Sequence, residues 1–278
     1  MAYKIDAHHH LWKYGPDYGW ISDSMGVIKR DFLPPDLKKE IDGAGIDGVV
    51  TVQARQTLEE TRWLLELAKA NAFMKGVVGW APLADPHIDS ILVPLAAQAK
   101  LKGLRHVVQD EPDDRFILGA DFNRGVTAML RTGLVYDILI FERHLPHAIE
   151  FVDRHPRQVF VLDHIAKPKI KEHVLEPWRK NMKELSRRPH VYCKLSGMVT
   201  EADHAAWTEA DLKPYVETAL ETFGPKRLMF GSDWPVCLLA SKYKRWVDTV
   251  AKVTASLSAS EKGRFWGETA AEAYKLAM

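Results

Sequence analysis

The sequence predicts an α/β fold, a closed (β/α)8 TIM barrel, on three observations. Eight short runs rich in Val, Ile, Leu and aromatic residues recur along the 278 residues. Helical patterns separate these runs, and no Ser-, Gly- or Pro-rich linker divides the chain. Strands that alternate with helices imply βαβ units, and parallel strands buried on both faces read as apolar runs without strict alternation. Eight units favour closing the sheet over an open doubly wound one, and one domain over residues 1–278 is an ordinary length for a barrel.

The first run is Tyr3–His10. Strict alternation puts Lys4, Asp6, His8 and His10 on one face, and Ile5, Ala7 and His9 on the other. If Ile5 and Ala7 pack on the helical shell, His8 and His10 point together into the barrel mouth. The second run is Gly48–Ala54. Behind it, Thr57 and Glu60 make a capping-box signature for a helix whose stripe is Leu64, Leu65, Leu67 and Ala68. After Met74–Trp80, Ile88, Ile91, Leu92, Leu95, Ala96 and Ala99 repeat at helical spacing, with Pro94 expected to kink or restart that helix. Gly103–Val108 and Leu134–Phe141 follow, and Pro146 suits the first turn of a helix through Ile149 and Val152. The last three runs are Gln158–His164, Val191–Gly197 and Arg227–Asp233. From about residue 241 onward only helical patterns remain, expected to pack on the barrel's outside.

Composition narrows the function. Lys and Arg number 38 against 37 Asp and Glu, a formal net charge of +1, so no field favours nucleic acid or an anionic membrane. Lys4 and Asp6 interrupt any signal-peptide core, and no apolar run approaches the roughly 20 residues that span a bilayer. A cytoplasmic protein with reduced Cys193 and Cys237 is expected. Oligomeric state is not legible.

Barrel enzymes place their chemistry at the C-terminal ends of the strands. Three runs end in suitable groups: IDAHHHLW with His8 and His10, VLDHIAKP with His164, and LMFGSDWP with Asp233. A His-x-His pair can bring two imidazoles to one ion or one carbonyl oxygen. Parity leaves open whether Asp163 or His164 faces inward, because both faces of that run are apolar. Gly231 leaves room for a ligand or neighbouring backbone, and Asp233 could take a proton from water or cap the next turn. Each group alone is as well explained by structure; their coincidence at one rim favours catalysis. Long loops, Leu11–Pro35 and Val107–Asn123, suggest a substrate cover. Polar contacts to a hydroxylated ligand are expected from Arg30, Gln53, Arg55, Arg105, His106, Gln109 and Asp110, with Trp20 and Trp234 as aromatic lids. Asp137 and Lys194 are weaker candidates, equally suited to salt bridges in the barrel interior.

Taken in order, IDAHHHLW, RDFLPPDL, VVTVQARQTLEETRWLLELA, KGVVGW, LKGLRHVVQDEPDDRF, ILIFERHLP, VLDHIAKP, YCKLSGMVTEAD and LMFGSDWPV resemble the amidohydrolase superfamily. Within it they resemble the amidohydrolase-related sugar lactonases, the L-fuconolactonase and L-rhamnonolactonase branch. The resemblance spans residues 3 to about 240. It implies a (β/α)8 barrel and carries His8, His10, His164 and Asp233 onto the superfamily's metal-or-catalytic positions. It implies carbohydrate catabolism and hydrolysis of a small-molecule sugar lactone such as L-fuconolactone. Two departures argue against a two-metal site: Arg105 and His106 stand where such members carry a lysine or glutamate, and Leu134–Phe141 holds no histidine. His144 lies just beyond it. The expectation is therefore that no cofactor is required, with a single divalent ion such as zinc on His8, His10, His164 and Asp233 as the alternative. Asp233 would activate water, and the three histidines would polarise the carbonyl. Arginines would equally suit a carboxylate-bearing lactone or a decarboxylase substrate, and a non-catalytic sugar-binding barrel is the remaining alternative.

Overall fold

The computed structural model describes residues 3–277. Eight parallel strands pair in chain order: β1 (Ile5–His9), β2 (Gly48–Val52), β3 (Met74–Gly79), β4 (Leu101–Val107), β5 (Val135–Leu139), β6 (Phe160–Leu162), β7 (Val191–Leu195) and β8 (Leu228–Phe230). The seam between β8 and β1 is sewn beyond the end of β8. There Asp233 N–H donates to the His8 carbonyl and His10 N–H to the Trp234 carbonyl, both at 2.7 Å. A parallel bridge also pairs His9 with Trp234.

Helices between the strands form the outer layer: α1 (Pro34–Ala44), α2 (Leu58–Ala70), α3 (Ile88–Ala96), α4 (Ala120–Met129), α5 (Leu145–Arg154), α6 (Trp178–Leu185), α7 (Glu209–Phe223) and α8 (Tyr243–Val253). The Thr57 hydroxyl caps α2 by accepting from Glu60 N–H, whereas the Glu60 carboxylate turns instead to Ala54 N–H and Arg55 N–H. Pro94 sits in the last turn of α3 and Pro146 in the first turn of α5.

Apolar side chains form two clusters, one on each side of the strands. The larger joins Val49, Val77, Leu104, Ile138, Phe160, Cys193 and Phe230 to the helices. The smaller fills the barrel with Ile5, Ala7, Val50, Val52, Val78, Val135, Val161 and Met229. Ile5 and Ala7 thus face inward, not the helical shell. The register explains why His8 does so too. Asp6 pairs with Val49 and His9 with Thr51, so three steps on β1 oppose two on β2, which is a β-bulge. The bulge resets the alternation. Asp6 turns outward to accept from Ser232 N–H and the Tyr243 hydroxyl of α8, and His9 meets the Thr51 hydroxyl. Burial pushes the Asp6 carboxyl up to about 6, against those hydrogen bonds, and drives His9 down to about 3.

Helices after α8 depart from the expected outside placement. Short helical turns between Ala259 and Ala273 run beneath the barrel, where Ala270, Ala273, Tyr274 and Leu276 join the inner cluster. The Tyr274 hydroxyl reaches up to both carboxylate oxygens of Asp137 at 2.8–2.9 Å. A barrel packed with side chains still needs its lower end covered, and this segment covers it. Among the described residues, no helix is long and apolar enough to cross a membrane.

Candidate active site

β6 and β8 are shorter than the runs that predicted them, and the difference builds the site. After Leu162 the chain leaves the strand and makes a left-handed turn, with φ of 55°, 47°, 60° and 48° at His164, Ile165, Ala166 and Lys167. After Phe230 the strand ends, and Asp233 has φ of 58°. Each left-handed position costs an L-residue about 1–2 kcal/mol, so the surrounding packing holds five of them in place. Gly197 permits the first turn, because a Cβ there would lie 2.6 Å from His164 Cγ and Nδ1. Gly231 makes room not for a ligand but for His8 and Ser196, whose Cβ atoms a side chain would meet at 2.8 and 2.9 Å.

The four predicted rim residues converge. Asp233 Oδ1 lies 3.4 Å from His10 Nε2, 3.8 Å from His8 Nε2 and 3.9 Å from His164 Nε2. All four are at most 5% exposed, so they sit in a low-dielectric mouth. Burial alone would raise Asp233, but nearby positive charge, from the His164 side first and from the Lys167 ammonium, opposes it, and the carboxyl is held below its ordinary range. Burial lowers His164 to about 4, against the pull of Asp233 and Asp163. Burial also drives His8 well below the usual histidine value, with Asp163 opposing and Lys194 reinforcing.

Partners on the far side of each ring orient the imidazoles. His10 Nδ1 donates to the Val52 carbonyl at 2.9 Å, which leaves Nε2 a bare lone pair in the neutral ring. His164 Nδ1 meets the Ser196 hydroxyl at 2.8 Å. Beneath the rim, Lys194 bonds Asp137 at 2.6 Å and Asp163 at 2.9 Å, and Arg105 bonds Asp163 at 3.0 Å. Sequence reasoning offers Asp137 and Lys194 as interior salt-bridge residues, and they do pair, but it does not bring Asp163 into the network. Parity leaves Asp163 undecided, and position on a strand alone does not say which carboxylate Lys194 meets.

A divalent ion would find suitable donors here. One oxygen of Asp233 and one nitrogen each of His8 and His10 lie within 4.8 Å of one another, as do donors of His8, Asp163 and His164. The lone pair of His10 opposite a carboxylate, fixed by a backbone carbonyl behind it, is the arrangement of a metal-binding histidine. The residues fit one ion. His144 adds nothing to a second, since its Nδ1 accepts from Phe141 N–H and its Nε2 bonds Asp114.

The expected substrate contacts divide. Gln53 and Arg105 lie inside the barrel, where Arg105 donates to the Gln53 carbonyl and Asp163; Gln53 Oε1 and Arg105 Nε have no partner among the described residues. Trp234 is buried, its indole N–H without a partner among the described residues, and it packs edge-on to Phe32, whose ring Arg30 covers. Trp20 is exposed and packs edge-on to Trp12. Arg55 pairs with Asp17 over the Tyr18 ring. Gln109 and Asp110 bond each other on a short turn after β4. His106 does not face the mouth: it stacks on Phe116, and Glu111 and Trp80 occupy its two nitrogens. It follows Arg105 on β4, so when one points inward the other cannot. A groove of about 560 Å³ opens between the loops after β5, β6 and β7, lined by Glu142, Arg143, Lys167, Thr200 and Glu201 among others. Lys167 sits within VLDHIAKP and Glu201 within VTEAD, motifs that held a further signal.

The amidohydrolase family profile matches residues 5–276, so the chain belongs to the amidohydrolase family. An L-fucono-1,5-lactonase of Burkholderia multivorans is 44% identical over 287 residues, covering 99% of this chain and 97% of that one. An L-fucono-1,5-lactonase of Burkholderia ambifaria is 39% identical, covering 87% and 84%. The crystal structure of a B. multivorans amidohydrolase with bound zinc superposes with a TM-score of 0.94 at 43% identity, covering 99% of this chain and all of that one.

Proposed function

We propose that this protein is a lactonase that hydrolyses a sugar lactone, L-fucono-1,5-lactone being the foremost candidate, to the aldonic acid. One observation carries the reading: an ionised carboxylate, Asp233, faces three imidazole Nε2 atoms within 3.9 Å at the mouth of a barrel. Names of the two Burkholderia relatives support the substrate class.

Asp233 and the His10 lone pair are two acceptors 3.4 Å apart. A water held between them has both hydrogens engaged and a lone pair directed outward. Asp233 takes one proton as that oxygen attacks the lactone carbonyl carbon. His164, whose Nδ1 can accept from Ser196, offers its Nε2–H to the oxyanion. When the tetrahedral intermediate collapses, the ring C–O bond breaks and Asp233 returns its proton to the departing oxygen. His10 cannot serve as a neutral donor, because its hydrogen belongs to the Val52 carbonyl. An ion held by His8, His10 and Asp233 would supply Lewis-acid polarisation when bound. The metal-free reading relies on the side chains alone, a preorganised donor contributing about 2.7–4 kcal/mol and a positioned base about 10²–10⁴-fold.

A panel of aldonolactones, carboxylated lactones and aromatic carboxylates, followed by pH indicator, tests the reading. Turnover of aldonolactones, abolished by Asp233→Asn and largely retained after exhaustive chelation, is expected. Turnover confined to carboxylated substrates would overturn the substrate class. Activity lost on chelation and restored by zinc would overturn the metal-free mechanism.

A further inference from the structure

After the left-handed turn at His164–Lys167 the chain continues as Lys167-Pro168-Lys169-Ile170-Lys171. Pro168 and Ile170 are buried, so the three lysines share the open side of the segment. Each meets its own carboxylate. Lys167 Nζ lies 4.0 Å from Glu201 Oε1, Lys169 Nζ 3.2 Å from Glu142 Oε1, and Lys171 Nζ 3.9 Å from Asp203 Oδ2. All six side chains line the groove of about 560 Å³. Glu142 follows β5, and Glu201 and Asp203 follow β7, so the lysines run between two acidic walls.

An ammonium and a carboxylate that bond directly close to about 2.7–2.9 Å, and none of these pairs does. An open pair offers a donor and an acceptor side by side. A hydroxyl is the neutral group that uses both at once, its oxygen accepting from the ammonium and its hydrogen going to the carboxylate. A carboxylate has no hydrogen to give. It could reach each ammonium only by facing the acid beside it, and like charges so placed repel.

The inner end of the groove abuts the rim. Lys167 N–H donates to the His164 carbonyl at 2.8 Å, and the Thr200 hydroxyl donates to the Gly197 carbonyl at 2.8 Å. Gly197 is the residue packed against the His164 ring. Burial pushes the Glu201 carboxyl up, with Lys167 opposing and Asp233 adding to the rise, so the inner pair lies within electrostatic reach of Asp233. Lys167, Glu201 and Glu142 are largely covered, whereas Lys169, Lys171 and Asp203 are open to solvent. The volume falls within the roughly 300–1,000 Å³ of a small-molecule site.

We propose that this groove binds the hydroxyl-bearing part of a neutral sugar lactone that extends beyond the reacting ester, and that its ion pairs select against carboxylated lactones. The proposal rests on the lactonase reading and decides its substrate class: of the neutral and the carboxylate-bearing lactone, it favours the neutral one. Each lysine with its acid reads one hydroxyl, and the lack of net charge on each pair removes any pull on an anion.

The test compares kcat/KM of the full-length protein on an aldonolactone, δ-valerolactone and a carboxylated lactone, followed by pH indicator. Wild type should favour the aldonolactone over the carboxylated lactone about 100-fold. Glu142→Gln leaves Lys169 without its acid. It should lower kcat/KM on the aldonolactone about 10-fold relative to δ-valerolactone, the loss of one hydrogen bond to a charged group, and raise it about 10-fold on the carboxylated lactone. Lys169→Met with Glu142→Gln makes the position neutral again and should show the loss without the gain. A variant that merely fails to fold cannot move two substrates in opposite directions. Unchanged ratios in both variants, or a wild type that prefers the carboxylated lactone, would overturn the proposal. If the wild type hydrolyses no lactone, the lactonase reading falls, and saturation-transfer NMR with L-fucose, which has hydroxyls but no ester, decides the groove. A signal lost in the double variant sustains it; no signal, or one that the double variant leaves unchanged, overturns it.

Discussion

Gly197 offers a direct measure of how tightly the fold holds His164. Its φ of 65° is left-handed, and a Cβ would stand 2.6 Å from two atoms of the His164 ring. Alanine there meets two separate costs. The backbone cost is about 1–2 kcal/mol. Overpacking against a ring held in place adds about 1–3 kcal/mol. Gly45 isolates the first cost: it ends α1 with φ of 68°, and nothing lies within 4 Å of where its methyl would stand. Gly45→Ala should therefore lower the melting temperature by only a few degrees, at about 2–4 °C per kcal/mol, and leave lactone turnover intact. Gly197→Ala should lose more stability, and its kcat/KM should fall about 10²-fold as the ring leaves Ser196. Denaturant titration with lactone kinetics on both variants checks this. Equal stability losses, or full activity in Gly197→Ala, would refute the view that this contact positions a reacting group.

Glu60 is nearly buried, and burial pushes its carboxyl up to about 7 despite donors from Arg55 and Ala54 N–H and the Tyr18 hydroxyl. A pKa raised on folding stabilises below the unfolded value near 4.5 and loses that contribution as pH rises through about 7. Urea midpoints should accordingly show wild type weakening relative to Glu60→Gln between those pH values, by about 3 kcal/mol at most. Tyr274→Phe removes the donor to both Asp137 oxygens and should cost about 1.5–3 kcal/mol in the same assay. Lys167 and Glu201 line the groove and their charges act on Asp233, so Lys167→Met or Glu201→Gln should slow an aldonolactone more than unsubstituted δ-valerolactone, as compared by kcat/KM. At Asp233, asparagine tolerates a positive φ better than alanine. Both variants should be inactive, with Asp233→Ala less stable in thermal melts by about 1 kcal/mol.

Much of this architecture is legible because burial on both faces leaves a compositional mark. All eight strands fall within or beside the apolar runs, and Thr57 and Pro146 stand at the helix starts their chemistry predicts. What stays hidden depends on register. Simple alternation puts Asp6 with His8, yet a bulge between Asp6 and His9 turns Asp6 to α8 and leaves His8 inside. The inward direction expected of His8 and His10 thus has a different cause from the one alternation suggests. His106 reads as a contact because it follows Arg105, although neighbours on a strand point to opposite faces. The buried charges Asp137 and Lys194 lie on two strands and Asp163 just beyond a third, so nothing local in the sequence says which of them pair.

Closure of this barrel and the chemistry proposed for it draw on the same atoms. β8 is three residues long and its ladder to β1 is carried by Asp233 N–H on the His8 carbonyl and His10 N–H on the Trp234 carbonyl. The proposed general base, Asp233, therefore hangs from the backbone of one imidazole partner, and the other partner hangs from the residue next to it. Any slip between β1 and β8 would break the seam before it could separate base from imidazoles, so loss of the constellation is linked to loss of the fold. The left-handed φ at Asp233 fits this coupling: a strand continued in extended geometry would alternate past the seam, and the kink turns the carboxylate back over it. Strain at the base is thus the local cost of closing the barrel and aiming the carboxylate with one pair of hydrogen bonds.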